Sequence, residues 1–265
     1  MVIISEEKCI NCGMCVTDCF FQNLIMKENK AHVRGECMRC GHCIAVCPTN
    51  AVSMNDYPMD EILEYSKEDF TISSDNLLNF IKFRRSIRHY KERPIEKKKI
   101  EKVLEAGRYT PTGANVQDTS YIVVQEKLEE LKPLLWDSLY DLAQKSADND
   151  SPLNQYAAKL VKMYNGYKSG KDDMMFFKAP VLIIVTEENL LNGGLAPANM
   201  ELMANAEGLG MLFSGFIKRA IENCESAKKF LGIENRVILS CMLMGYPDIS
   251  FKRTVPRKKP VITWK

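Results

Sequence analysis

The 265-residue sequence has no marked excess of charge of either sign: 36 Lys and Arg stand against 34 Asp and Glu, a formal net charge of +2. That balance gives no electrostatic case for a nucleic-acid binder or a polybasic membrane protein. Long hydrophobic runs are also missing. VLIIV and the stretch around ILSCMLMGY are too short to span a bilayer, and MVIISEEKC lacks a basic segment leading into an apolar one. A soluble, cytoplasmic protein is expected. No G-x-G-x-x-G follows a β-rich run, so no separate nicotinamide domain is expected either. The composition that is left, 46% hydrophobic and 26% charged, suffices for one large domain or for a small and a medium one.

Cysteine is abundant, and it is ordered. Eight of the ten cysteines fall in two runs, CINCGMCVTDCF from residue 9 and CMRCGHCIAVCP from residue 37. Cys9, Cys12, Cys15 and Cys19 have the spacing C-x2-C-x2-C-x3-C, and Cys37, Cys40, Cys43 and Cys47 repeat it. This rhythm is wrong for a disulfide framework. Short C-x2-C turns let thiolates converge on one inorganic core, while the start of a helix carries the fourth cysteine of each run to the other core. The expected sets are Cys9, Cys12, Cys15 and Cys47 on one [4Fe–4S] cluster, and Cys37, Cys40, Cys43 and Cys19 on a second. The alternative is a pair of structural zinc sites, but those combine C-x2-C pairs across a longer spacer.

With these residues quoted, residues 1–60 resemble a bacterial two-cluster ferredoxin. The repeat extends beyond the cysteines: Gly13 matches Gly41, Leu24 matches Val52, and Met26 matches Met54. One departure is Phe20, which stands where the second run has Pro48. Residues 61–76, with several acids and a serine pair and preceded by Pro58, read as a partly helical linker. From residue 77 to 265, amphipathic helical patterns dominate, with strands expected at SYIVVQ, APVLIIV and VILSCMLMGY. The order is mixed without βαβ alternation, which implies an α+β fold, a sheet covered by helices.

Three stretches of this second region carry candidate chemistry. In RRSIRHY, Arg84, Ser86 and Arg88 would share one side of an extended segment and form a fork for a phosphate and polar ring edges; a basic run on a solvated face is the plainer reading. In TPTGANVQD, Asn115 and Gln117 offer both donors and acceptors to a ring edge, or simply serve a turn. Near the end, Lys252 and Arg253 are phosphate candidates within a basic tail.

Taken in order, R-R-S-I-R, P-T-G-A-N-x-Q, E-G-L-G-x-x-x-S-G-F and G-Y-P with a basic end resemble the flavin-dependent nitroreductase family. The resemblance implies a central, mostly antiparallel sheet flanked by helices, and a homodimer whose subunits exchange terminal segments around two FMN molecules. It assigns Arg84, Ser86 and Arg88 to the phosphate, ribityl chain and pyrimidine side of FMN, and Asn115 and Gln117 to the flavin. Ser214 and Gly215 would lie by its reactive ring, and Lys252 and Arg253 by its phosphate. No catalytic acid or base is assigned. The expected protein passes electrons from two [4Fe–4S] clusters to FMN and reduces a small oxidised molecule of nitro, quinone or enone type. Its expected donor is reduced ferredoxin, flavodoxin or another low-potential carrier, or NAD(P)H directly over the flavin. The alternatives are an electron-transfer subunit or an iron–sulfur redox sensor without a substrate of its own.

Overall fold

In the computed structural model, which describes residues 1–146, 153–171 and 173–265, the chain divides into two units. The first comprises Met1–Ile72 with Thr112–Val116, and the second Ser73–Pro111 with Gln117–Lys265. The stretch 61–76 is therefore split: Lys67–Phe70 forms a short helix (α3) in the first unit, capped by the Ser66 hydroxyl, and the second unit opens at Ser73.

The first unit is built twice over. Strands β1 (Val2–Ile4) and β4 (Val52–Met54) pair antiparallel, and β2 (Leu24–Lys27) pairs with β3 (Lys30–Val33) across a turn. The turn residues Glu28 and Asn29 both have positive φ, as a two-residue hairpin twisted with its strands requires. One-turn helices α1 (Met14–Thr17) and α2 (His42–Ala45) each follow a glycine at φ +71° and +77°. Non-glycine residues repeat the strain at matching places, Asn11 with Arg39 and Gln22 with Asn50. The sequence repeat is thus a backbone repeat. Its packing is less symmetric: Leu24 and Val52 are both buried, but Met26 is 37% exposed whereas Met54 is 1% exposed.

The second unit is a four-stranded antiparallel sheet in the order β5 (Ser120–Val124), β6 (Val181–Thr186), β8 (Ile238–Gly245) and β7 (Gly210–Phe213). All six residues of β6 are buried. Leu182 and Ile184 join one apolar core with residues of α6 (Leu128–Ser146), α7 (Asn154–Lys168), α9 (Gly215–Glu222) and α10 (Glu225–Leu231). Val181, Ile183 and Val185 join a second core with residues of α5 (Lys97–Arg108) and α8 (Asn192–Ala206). Helices on both faces explain why VLIIV is continuous rather than alternating. At roughly 1.5–3 kcal/mol for each fully buried aliphatic side chain, this strand is a major source of the unit's stability.

Helix α8 ends at Ala206, and Gly208 takes a left-handed turn. Gly210 opens β7. There it must be glycine, because an added Cβ would lie 2.2 Å from Ile87 Cγ1. That close approach exists because Ser86 and Met211 form a parallel bridge.

Candidate functional site

Two cavities in the first unit sort the eight cysteines. One is lined by Cys9, Cys12, Cys15 and Cys47, the other by Cys19, Cys37, Cys40 and Cys43. These are the two quartets that the spacing predicts, each borrowing its fourth member from the other run. Among the described residues, no three His, Cys, Asp or Glu side chains converge as a single ion requires. Sulfurs spread around a cavity suit a multi-atom cluster instead. Backbone N–H groups point at these sulfurs in matched pairs: Asn23 N–H donates to Cys19 Sγ at 3.3 Å and Ala51 N–H to Cys47 Sγ at 3.2 Å. Backbone donors from Ala31 and Asn11 lower the pKa of Cys9. Burial pushes Cys43 up to about 11, and Cys37, Cys40 and Cys15 add to this; burial also raises Cys15. Buried thiols that resist ionisation are thiols whose deprotonated form needs bound metal charge beside it. Phe20 is 83% exposed and meets Phe21 edge-on at 5.1 Å.

In the second unit, helix α4 (Ser74–Phe83) ends at Arg84, and residues 84–90 run extended. Ile87 is buried, while Ser86 and Arg88 are exposed, so the expected alternation is present. Arg84 is already engaged, with Nη1 2.5 Å from Glu201 Oε1 of α8. Arg85 donates from Nη1 to the Lys82 carbonyl at 2.8 Å, while its buried Nε and Nη2 have no hydrogen-bond partner. That orphaned edge is a bidentate fork, the shape that a phosphate or carboxylate satisfies.

Arg88, Ser214 and Gly215 line one cavity of about 670 Å³ in the second unit. Ser214 caps α9, its hydroxyl accepting from Ile217 N–H at 3.3 Å. The remaining walls come from α7 (Gln155, Tyr156, Lys159), from the segment Met174–Phe177, and from Phe213, Phe216 and Arg219. Phe177 has φ +55°, an uncommon conformation for a bulky side chain. Asp173 pins this segment: Oδ1 accepts from Trp136 Nε1 and from Phe176 N–H, both at 3.2 Å.

The other predicted residues lie elsewhere. Asn115 groups with the first unit, where its Nδ2 donates to the Arg39 carbonyl at 2.8 Å. Ala114, Asn115 and Gln117 all have positive φ. Lys252 and Arg253 are exposed, and Lys252 Nζ reaches Ser250 Oγ at 3.4 Å. Sequence reasoning missed Tyr156, Lys159 and Arg219. Nothing in the amphipathic pattern of α7 distinguishes Lys159; Arg219, one helical turn after Gly215, was within reach of the E-G-L-G-x-x-x-S-G-F stretch.

The Nitroreductase family model matches residues 81–246, and the 4Fe-4S dicluster domain model matches residues 1–48. The chain belongs to the nitroreductase family. This nitroreductase-family chain is 28% identical over 184 residues to an Archaeoglobus fulgidus protein described as an NADH dehydrogenase or NAD(P)H nitroreductase, covering 65% of the chain and 86% of that protein. Its cysteine region is 43% identical over 54 residues to a ferredoxin of Pyrobaculum islandicum, covering 20% of the chain and 50% of the ferredoxin. An archaeal-type NADPH glutamate synthase of Dehalococcoides mccartyi is matched over only 12% of its length. Among solved structures, an FMN-bound nitroreductase of Bacteroides fragilis superposes with TM-score 0.56 at 22% identity, covering 71% of this chain and 98% of that one. The α+β fold, the flavin-oxidoreductase class and the dicluster region thus agree with the sequence expectations, and among the described residues no helix is long and apolar enough to cross a membrane.

Proposed function

We propose that this protein is an FMN-dependent oxidoreductase in which single electrons enter at two [4Fe–4S] clusters in the cysteine unit and leave in pairs to a small nitro, quinone or enone compound. The observation that carries this reading is the sorting of eight cysteines into two cavity-lining quartets in a chain whose second unit is of the nitroreductase family. FMN supplies the exchange between one-electron and two-electron chemistry when bound. Cys9, Cys12, Cys15 and Cys47 hold one cluster, and Cys37, Cys40, Cys43 and Cys19 the other. Arg88, Ser214 and Gly215 hold the flavin within the 670 Å³ cavity. Ser86, Arg84 and the unpaired fork of Arg85 serve the phosphate end, together with Lys252 and Arg253, while Asn115 and Gln117 reach the flavin from the partner subunit.

A homodimer is part of the proposal. No residue of α4 is buried, and Leu77, Leu78, Ile81 and Phe83 are all exposed, as are Val255, Val261, Ile262 and Trp264 of the tail. Exchanged terminal segments would cover both sets. The donor is a low-potential carrier, ferredoxin or flavodoxin, acting in the cytoplasm.

The test is anaerobic. Purified protein should carry about eight irons, four per cluster, with one flavin per chain. Cys37→Ser combined with Cys40→Ser should halve the iron, keep the flavin, and slow flavin reduction by reduced ferredoxin at least about tenfold, a barrier increase of ~1.4 kcal/mol. An unchanged rate removes the clusters from the path.

A further inference from the structure

The large cavity of the second unit has a one-sided charge. Its cations are Arg88, Lys159 and Arg219, and no Asp or Glu is among its lining residues. On the same two helices, Lys168 of α7 lies 3.0 Å from Asp137 and Lys218 of α9 pairs with Glu222. Lys159 and Arg219 have no such carboxylate among the described residues. Arg219 also sits close to the proposed flavin contact, since a Cβ built on Gly215 would be 3.4 Å from its Nη1. Aromatic and thioether side chains make up much of the rest of the wall: Tyr156 and Phe216 meet edge-on at 5.9 Å, with Phe177, Met163 and Met174 also lining it.

We propose that Lys159 and Arg219 select an anionic substrate, a small planar oxidised molecule whose carboxylate is held by these two cations while its ring packs among Tyr156, Phe177 and Phe216. This rests on the flavin reading above and narrows its substrate class. The two helices divide the work. Arg219 presents a planar fork matched to a carboxylate, and Lys159 adds a compact charge from the facing helix. Both side chains are exposed in the free chain, so their pairing strengthens when a bound ring displaces water from the cavity. The carboxylate is a handle and takes no part in electron transfer.

The experiment titrates oxidised holoprotein, with its clusters and FMN, with 4-nitrobenzoate and separately with 4-nitrobenzamide, reading the flavin absorbance. At low ionic strength the carboxylate should bind about tenfold more tightly than the amide, equivalent to ~1.4 kcal/mol. Arg219→Gln and Lys159→Gln should each shrink that ratio to about threefold or less with flavin content retained, and Arg219→Lys should keep more of it than Arg219→Gln. Equal binding of the two ligands to the natural sequence, or no flavin perturbation by either, overturns the substrate assignment and leaves the flavin reading standing. Loss of flavin from both Gln variants overturns it differently, by assigning these cations to the FMN phosphate. Protein that binds no FMN at all ends both readings.

Discussion

Asp173 holds several elements of the second unit together, and its removal should be costly. Its Oδ1 accepts from Trp136 Nε1 and Phe176 N–H, each at 3.2 Å, and Oδ2 lies 3.4 Å from Lys132 Nζ. Trp136 is fully buried, and the Lys132 side chain is only 9% exposed. In Asp173→Ala both N–H donors lose a charged acceptor, a loss of about 1.5–3 kcal/mol for a hydrogen bond of that kind. Lys132 keeps Glu129 at 2.6 Å, so it is not stranded and adds little. A net loss of about 3 kcal/mol follows, which for a unit of this size lowers Tm by roughly 6–12 °C. Asp173→Asn retains an oxygen for Trp136 without the charge, and should lose about half as much. Tryptophan emission in a Trp264→Phe background is a direct assay, because the buried Trp136 is then the one tryptophan in the sequence. A fall of less than about 2 °C in Asp173→Ala, or an Asn variant as damaged as the Ala variant, would refute this account of the segment that lines the cavity.

Gly210→Ala places a methyl 2.2 Å from Ile87 Cγ1 and 3.1 Å from Pro247 Cγ. It should cost about 1–3 kcal/mol in thermal denaturation and weaken flavin retention by displacing the 84–90 segment; a loss under ~0.5 kcal/mol contradicts the close-approach argument. Glu96 is held at about 2, chiefly by the hydroxyl of Tyr246 in the Gly-Tyr-Pro turn, with Arg93 contributing. Because its folded pKa is depressed, Glu96 contributes stability that is fully present above about 4.5 and is lost as pH falls toward about 2. In Tyr246→Phe that acid dependence should weaken, and the Glu96 carboxyl carbon resonance should titrate nearer the ordinary carboxylate range; an unmoved titration removes Tyr246 as the cause.

Local signals were legible in the sequence. The grouping of the cysteines around two cavities could be read because four cysteines within eleven residues constrain their own geometry, and the repeat supplied the exchange of the fourth member. Strand β6 could be read because apolar cores on both faces leave an unbroken run. Strand β7 could not. It has four residues, it begins at a glycine and ends at the 41% exposed Phe213, and its identity depends on pairing with β8. The same dependence on distant partners hid the engagement of Arg84 by Glu201, and hid the placement of Lys159 and Arg219, from different helices, around one cavity. Periodicity reports which face of a helix is covered, not which other helix faces it.

Backbone strain supplies a third view of the sites, independent of motif and cavity. Outside glycine, left-handed residues are costly and persist where surrounding structure holds them. Among the described residues they fall in few places. Near the cysteines in sequence, Asn11 and Arg39 stand within the two cysteine runs, Gln22 and Asn50 stand three residues after Cys19 and Cys47, and Glu28 and Asn29 make the hairpin turn. The other five are Ala114, Asn115 and Gln117, in the loop that presents the predicted carboxamides, and Phe177 and Lys178, at the cavity wall. Turn chemistry accounts for the hairpin pair, and helix geometry accounts for none of the rest. A chain selected only for stability would relieve Ala114 and Phe177 first, since neither has the short polar side chain that eases this conformation. Their place in these two loops, rather than scattered through the surface turns, puts the strained backbone beside the residues proposed above for the flavin and the substrate.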